Sequence, residues 1–70
     1  MRKPILIRFG ARIKSLRQKK GLTQEQFAEI CGLHKNYIGM VERGERNPAL
    51  LNIEIIAKGL ETSISELMKF

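Results

Sequence analysis

Residues 23–42 constrain the fold of this chain more than any other stretch. Thr23 is a favourable helix N-cap, and Gln26 three positions later completes a capping-box pattern, so a helix starts there. Phe27, Ala28 and Cys31 share one side of that helix and form its buried face. Gly32 then lets the backbone turn left-handed and change direction sharply. A second helix follows over about 35–43, with Ile38 and Val41 inward, and Gly44 stops it. Ala28 faces the crossing of the two helices, where a larger side chain would push them apart.

The flanking segments predict three more helices and no strand. Over about 5–19, Phe9, Ile13 and Leu16 recur at helical spacing between basic residues, and Gly21 follows a cationic last turn. Asn47-Pro48 is a turn signal before a helix over about 50–59 that buries Ile53, Ile56, Ala57 and Leu60. Thr62 or Ser63 caps a last short helix carrying Ile64 and Leu67. Residues 1–70 therefore read as one domain, an all-α, compact five-helix unit. At this length folding without disulfides or metal is near its lower limit, and the single Cys31 has no intramolecular partner. Stability must come from packing, aided by a partner subunit.

The net charge of +6 favours a polyanionic partner. Residues 2–20 hold Arg2, Lys3, Arg8, Arg12, Lys14, Arg17, Lys19 and Lys20 with no acid, and the acids begin at Glu25. The cluster is either a solvated helix face or partly a phosphate-contacting surface. No apolar run suits a signal-peptide core or a membrane span, so a cytoplasmic protein is expected. No nucleophile–base pair is evident, and His34 with Cys31 is too small a set for structural zinc. Neither enzymatic activity nor a metal or cofactor is expected. Cys31 reads as a small core residue.

Gly21-Leu22-Thr23-Gln24, Ala28, Gly32-Leu33, Tyr37-Ile38, Val41-Glu42-Arg43-Gly44 and Ile56-Ala57-Lys58-Gly59-Leu60, in this order and spacing, resemble the phage-repressor and Cro type of helix-turn-helix. The likeness extends over nearly the whole chain. Within that type, Glu42-Arg43-Gly44-Glu45-Arg46-Asn47-Pro48 and the short length resemble controller proteins of restriction–modification systems. The resemblance implies a helix-turn-helix over about 23–43 whose second helix enters the DNA major groove, and a dimerisation region over about 50–70. It implies a dimeric, autoregulatory transcriptional regulator on an inverted-repeat operator in double-stranded DNA, with RNA polymerase a further partner. The alternative is an antitoxin that binds its toxin and its own promoter.

Specific residues follow. By resemblance, Gln24 at the start of the second helix bonds a DNA phosphate, assisted by the free N–H groups there. In the third helix Lys35, Asn36 and Gly39 lie opposite Ile38 and Val41. Lysine can donate to guanine and asparagine can pair with adenine. Tyr37 can pack on a sugar or thymine methyl, or bond a phosphate. Gly39 costs about 1 kcal/mol in a helix interior, and either close approach to DNA or neutral drift explains its presence. Met40 either touches a base methyl or is a half-buried surface residue. Arg43, Arg46 and Asn47, just past the helix, are candidate phosphate clamps, and Arg46 can also reach a neighbouring groove. Arg17 and Glu42 match the positions of a family ion pair. Leu51, Ile55, Ile64, Met68 and Phe70 leave apolar surface that predicts a homodimer interface. His34 stands where Ser, Thr or Asp would cap better.

Overall fold

The computed structural model describes residues 2–70. Five helices follow in order: α1 (Pro4–Lys19), α2 (Gln24–Cys31), α3 (Lys35–Glu42), α4 (Leu50–Gly59) and α5 (Ile64–Leu67). The helix starts follow local chemistry. Pro4 opens α1 at a position whose N–H has no intrahelical partner in any case, one residue ahead of the expected start. At α2 the capping box is complete: the Gln26 amide donates to Thr23 Oγ1 at 3.1 Å and the Thr23 amide donates to Gln26 Oε1 at 2.9 Å. Ser63, not Thr62, caps α5, accepting from the Glu66 amide. His34 caps α3 by an unexpected route: its imidazole Nδ1 accepts from the Asn36 amide at 3.1 Å.

The helix ends are more varied. Gly32 is left-handed at φ 67°, as the turn between α2 and α3 requires. α3 stops at Glu42, a residue earlier than expected, with Arg43 as C-cap. The Gly44 amide then bonds Val41 O and the Glu45 amide bonds Met40 O, a Schellman closure. At α4 the left-handed residue is Glu61, at φ 57°, rather than a glycine. Gly59 has a different task. A Cβ there would lie 2.8 Å from Cys31 Sγ and 3.0 Å from the Phe27 ring, so the glycine permits α4 to sit close on α2.

The core joins all five helices through Phe9, Ile13, Phe27, Ala28, Ile38, Val41, Ile56, Ala57, Leu60 and Leu67, none more than 4% exposed. Leu16, Cys31 and Ile53, expected inside, are only partly buried at its margin, where Ile64 also packs. α3 is gripped from both sides, by α1 and by α2. Gly10 makes the first contact possible, because a Cβ there would lie 2.3 Å from Val41 O and 2.5 Å from Glu42 O. Nothing in the sequence pattern marked Gly10, whose demand arises only when two distant helices meet backbone to backbone.

Candidate nucleic-acid interface

The inner face of α3 is fixed by packing and by one buried ion pair. Ile38 and Val41 are sealed in the core, and Glu42 beside them is a buried carboxylate. Arg17 answers it from α1, donating from Nε to Oε2 at 2.6 Å and from Nη2 to Oε1 at 3.0 Å. The third guanidinium nitrogen donates to Leu22 O at 2.7 Å. The pair is thus desolvated yet hydrogen-bonded through all three guanidinium nitrogens and both carboxylate oxygens, the condition under which a buried charge is tolerable. Gln24 Nε2 joins it through Glu42 Oε1 at 2.9 Å. One carboxylate therefore ties α1, the N-terminus of α2 and the end of α3 together.

The outer face of α3 has the opposite character. Lys35, Asn36, Gly39, Met40 and Arg43, with Gln24 from α2, line one shallow cavity of about 190 Å³. Lys35 and Asn36 are exposed, Lys35 lying 3.8 Å from Glu25 in a loose ion pair. Gly39, expected open to DNA, is instead buried beneath two of these side chains: a Cβ would approach Arg43 Nη1 to 3.1 Å and Gln24 Oε1 to 3.5 Å. The glycine clears the ground over which both side chains lie. Arg43 forms a forked contact with Glu45, Nε to Oε2 at 3.0 Å and Nη2 to Oε1 at 3.2 Å. The hydrogen bond from Arg43 holds the Glu45 carboxyl below the usual carboxylate range, so it stays charged at neutral pH.

Not every expected residue joins this face. Tyr37 is half-buried against the core, and its hydroxyl accepts from Asn52 Nδ2 of α4 at 3.1 Å. Arg46 stands exposed in the loop before α4. Asn47 lines a separate apolar cavity of about 130 Å³ with Ile5, Leu6, Phe9, Pro48, Ile53 and Met68.

The apolar set assigned to a dimer interface is divided. Leu51 and Ile64, with Leu50 and Glu54, line one cleft of about 340 Å³. Ile55 is half-buried, its carbonyl 4.0 Å from Cys31 Sγ. Met68 borders the Asn47 cavity, and Phe70 packs on Phe9 with ring centroids 6.3 Å apart and on the Arg8 guanidinium at 5.9 Å. Those two residues cover α1 of their own chain. Leu50, at 72% exposed, was missed and is the most exposed large apolar side chain among the described residues. Burial pushes the Cys31 thiol up to about 11, which keeps it protonated at neutral pH. Among the described residues, no helix is long and apolar enough to cross a membrane, and no group of three His, Cys, Asp or Glu could hold a metal.

A family model described as helix-turn-helix matches residues 13–67. The chain is 52% identical over 56 residues to control protein C.SmaI of Serratia marcescens, covering 80% of this chain and 67% of that protein. Its fold matches the restriction–modification controller protein C.AhdI of Aeromonas hydrophila with a TM-score of 0.87 at 47% identity, over 89% of this chain and 94% of that one. It matches the C.Esp1396I controller, solved as a tetramer on its natural 35-base-pair operator, with a TM-score of 0.86 at 36% identity, over 94% and 91% of the two chains. The buried clamp on one side of α3 and the open polar face on the other are thus set in a known frame: the chain belongs to the helix-turn-helix family of transcriptional regulators, in its restriction–modification controller branch.

Proposed function

We propose that the chain binds an inverted-repeat operator as a homodimer, placing α3 of each subunit in a major groove, and so controls restriction–modification genes including its own. The carrying observation is the two-sidedness of α3. One face is locked by Ile38, Val41 and the Arg17–Glu42 pair, while Lys35, Asn36, Gly39, Met40 and Arg43 converge with Gln24 on the other. Lys35 and Asn36 read base edges, Met40 meets a methyl, and Gln24, Arg43, Arg46 and Asn47 hold phosphates. Tyr37 contributes a hydroxyl whose acceptor side is already used by Asn52, leaving its proton for a DNA oxygen.

The dimer forms through Leu50, Leu51 and Ile64, with Ile55 behind them, a patch exposed at the α4–α5 end. Regulation then follows concentration through dimerisation and operator occupancy, and contact with RNA polymerase at the promoter would account for activation. The antitoxin reading has no comparable support in the relatives named above.

Two half-sites read on one face of the duplex lie roughly 34–36 Å apart, about one helical turn. Footprinting on the chain's own upstream DNA should show a protected inverted repeat. Inserting about five base pairs between its halves turns one half to the opposite face and should abolish most specific affinity. Undiminished binding to the lengthened site would refute the arrangement. A Leu51→Glu variant should keep the monomer fold and sediment as a monomer at tens of micromolar, where the parent chain is a dimer.

A further inference from the structure

One carboxylate, Glu45, holds two arginines at the end of the recognition helix. Its Oε2 accepts from Arg43 Nε at 3.0 Å and from Arg2 Nη2 at 2.7 Å, while Oε1 accepts from Arg43 Nη2 at 3.2 Å. The acceptor is not a wandering side chain. The Schellman closure after α3 pins the Glu45 amide to Met40 O at 2.9 Å, with Gly44 left-handed at φ 77°. Gly44 in turn lies against Ile7, for a Cβ there would approach the Ile7 Cα to 3.0 Å. That contact sets the start of α1, and Arg2 just before it, over Glu45. Arg2, Leu6, Ile7, Gly44 and Glu45 line an open cleft of about 680 Å³. All three charged groups remain accessible to a ligand from solvent.

We infer that Arg2 and Arg43 form a single binding site for a DNA backbone phosphate, and that Glu45 occupies it in the free protein as an internal competitor. Two guanidinium groups converging on carboxylate oxygens at 2.7–3.2 Å present the donor pattern a phosphate accepts equally well. Glu45 is tethered two residues from Arg43, so its effective concentration at the site is high, and a phosphate must displace it. The consequence is a uniform reduction in affinity for all DNA, because phosphate contacts carry no base information. Fewer molecules are then held on non-operator sequence, where competing sites are most numerous. The Arg2–Arg43 site rests on the DNA-binding reading above and adds to it a residue pair and an opposing carboxylate.

The test is fluorescence anisotropy of the full chain on a random-sequence 35-base-pair duplex across a salt series. Glu45→Gln should tighten binding about three- to fivefold per protomer, the scale of a released exposed ion pair. It should also steepen the logarithmic salt dependence by up to about one unit per protomer. Glu45→Gln also adds one positive charge, so the same substitution is made in an Arg2→Ala/Arg43→Ala background. There the gain should vanish, because nothing is left to unmask. Glu29→Gln on the exposed side of α2 removes an equal charge and should give a smaller gain. An equal gain with and without the two arginines would reduce the effect to net charge and overturn the site. No gain in the parent background would overturn it as well. If the parent chain itself fails to bind any duplex at low salt, the DNA-binding reading falls and the site with it; if the parent binds and Glu45→Gln is indistinguishable from it, only the site falls.

Discussion

Two Arg–Glu pairs close the same end of α3, three residues apart in sequence at the glutamates, and they have opposite roles. Arg17–Glu42 is sealed, with side chains 8% and 2% exposed. Arg43–Glu45 is open, with side chains 55% and 30% exposed. Both show forked geometry, so hydrogen-bond pattern does not separate them. Burial does. A charge taken out of water has no substitute partner, so the inner pair is permanent and acts as a structural clamp. A charge left in water can exchange one oxyanion for another at small cost, so the outer pair can open to a phosphate.

Breaking the inner pair from one side should have the largest effect. Arg17→Ala or Glu42→Ala strands a lone buried charge and should cost about 3–5 kcal/mol, much of the roughly 5–15 kcal/mol available to a small domain. Urea unfolding followed by circular dichroism measures this. A loss under about 1 kcal/mol would mean the pair behaves like a surface one and would erase the contrast.

The outer face should give smaller effects, seen in binding rather than folding. Lys35→Ala should remove discrimination at one or two operator positions, at roughly 1–3 kcal/mol each, with the urea midpoint unchanged. Affinities for a panel of single-base operator variants would show a flattened profile at those positions only. If the profile stayed as steep as the parent's, Lys35 would not be a base-reading residue.

Gly39→Ala sharpens the comparison, because it should move stability and binding in opposite directions. Replacing glycine inside a helix should raise stability by up to about 1 kcal/mol. The new methyl meets the tip of Arg43 at 3.1 Å, which a flexible side chain can accommodate by shifting. That shift should weaken DNA binding severalfold. A variant that lost stability would show that the space over Gly39 is more rigid than an exposed arginine allows.

The smallest expected change to the fold is from Arg43→Ala, whose melting temperature should match the parent's within error. Its mark should be a salt dependence shallower by about one unit per protomer, equal on operator and random DNA. A loss confined to particular base pairs would instead make Arg43 a base-reading residue.

Helix boundaries and the inner face of α3 were legible in the amino-acid order because they depend on near neighbours. The Thr23–Gln26 box, the left-handed Gly32 and the inward spacing of Ile38 and Val41 each involve residues within a turn or so of one another. Other features were set only where distant segments meet. Gly10 against the carbonyls of Val41 and Glu42 and Gly59 against Cys31 needed helices from opposite parts of the chain in contact. Asn52 on the Tyr37 hydroxyl made a half-buried bridge between α3 and α4 at a residue the local pattern marked only for DNA. Phe70, reckoned as spare apolar surface, found Phe9 and Arg8 on its own α1. Arg2 and Glu45 lie 43 residues apart, and no local pattern links them. Local order thus determined the helices, their caps and which side of α3 must be buried, since backbone hydrogen bonding and side-chain period act over a few residues. Tertiary structure decided which polar groups share a partner and which charges lose their water, because desolvation depends on everything packed around an atom.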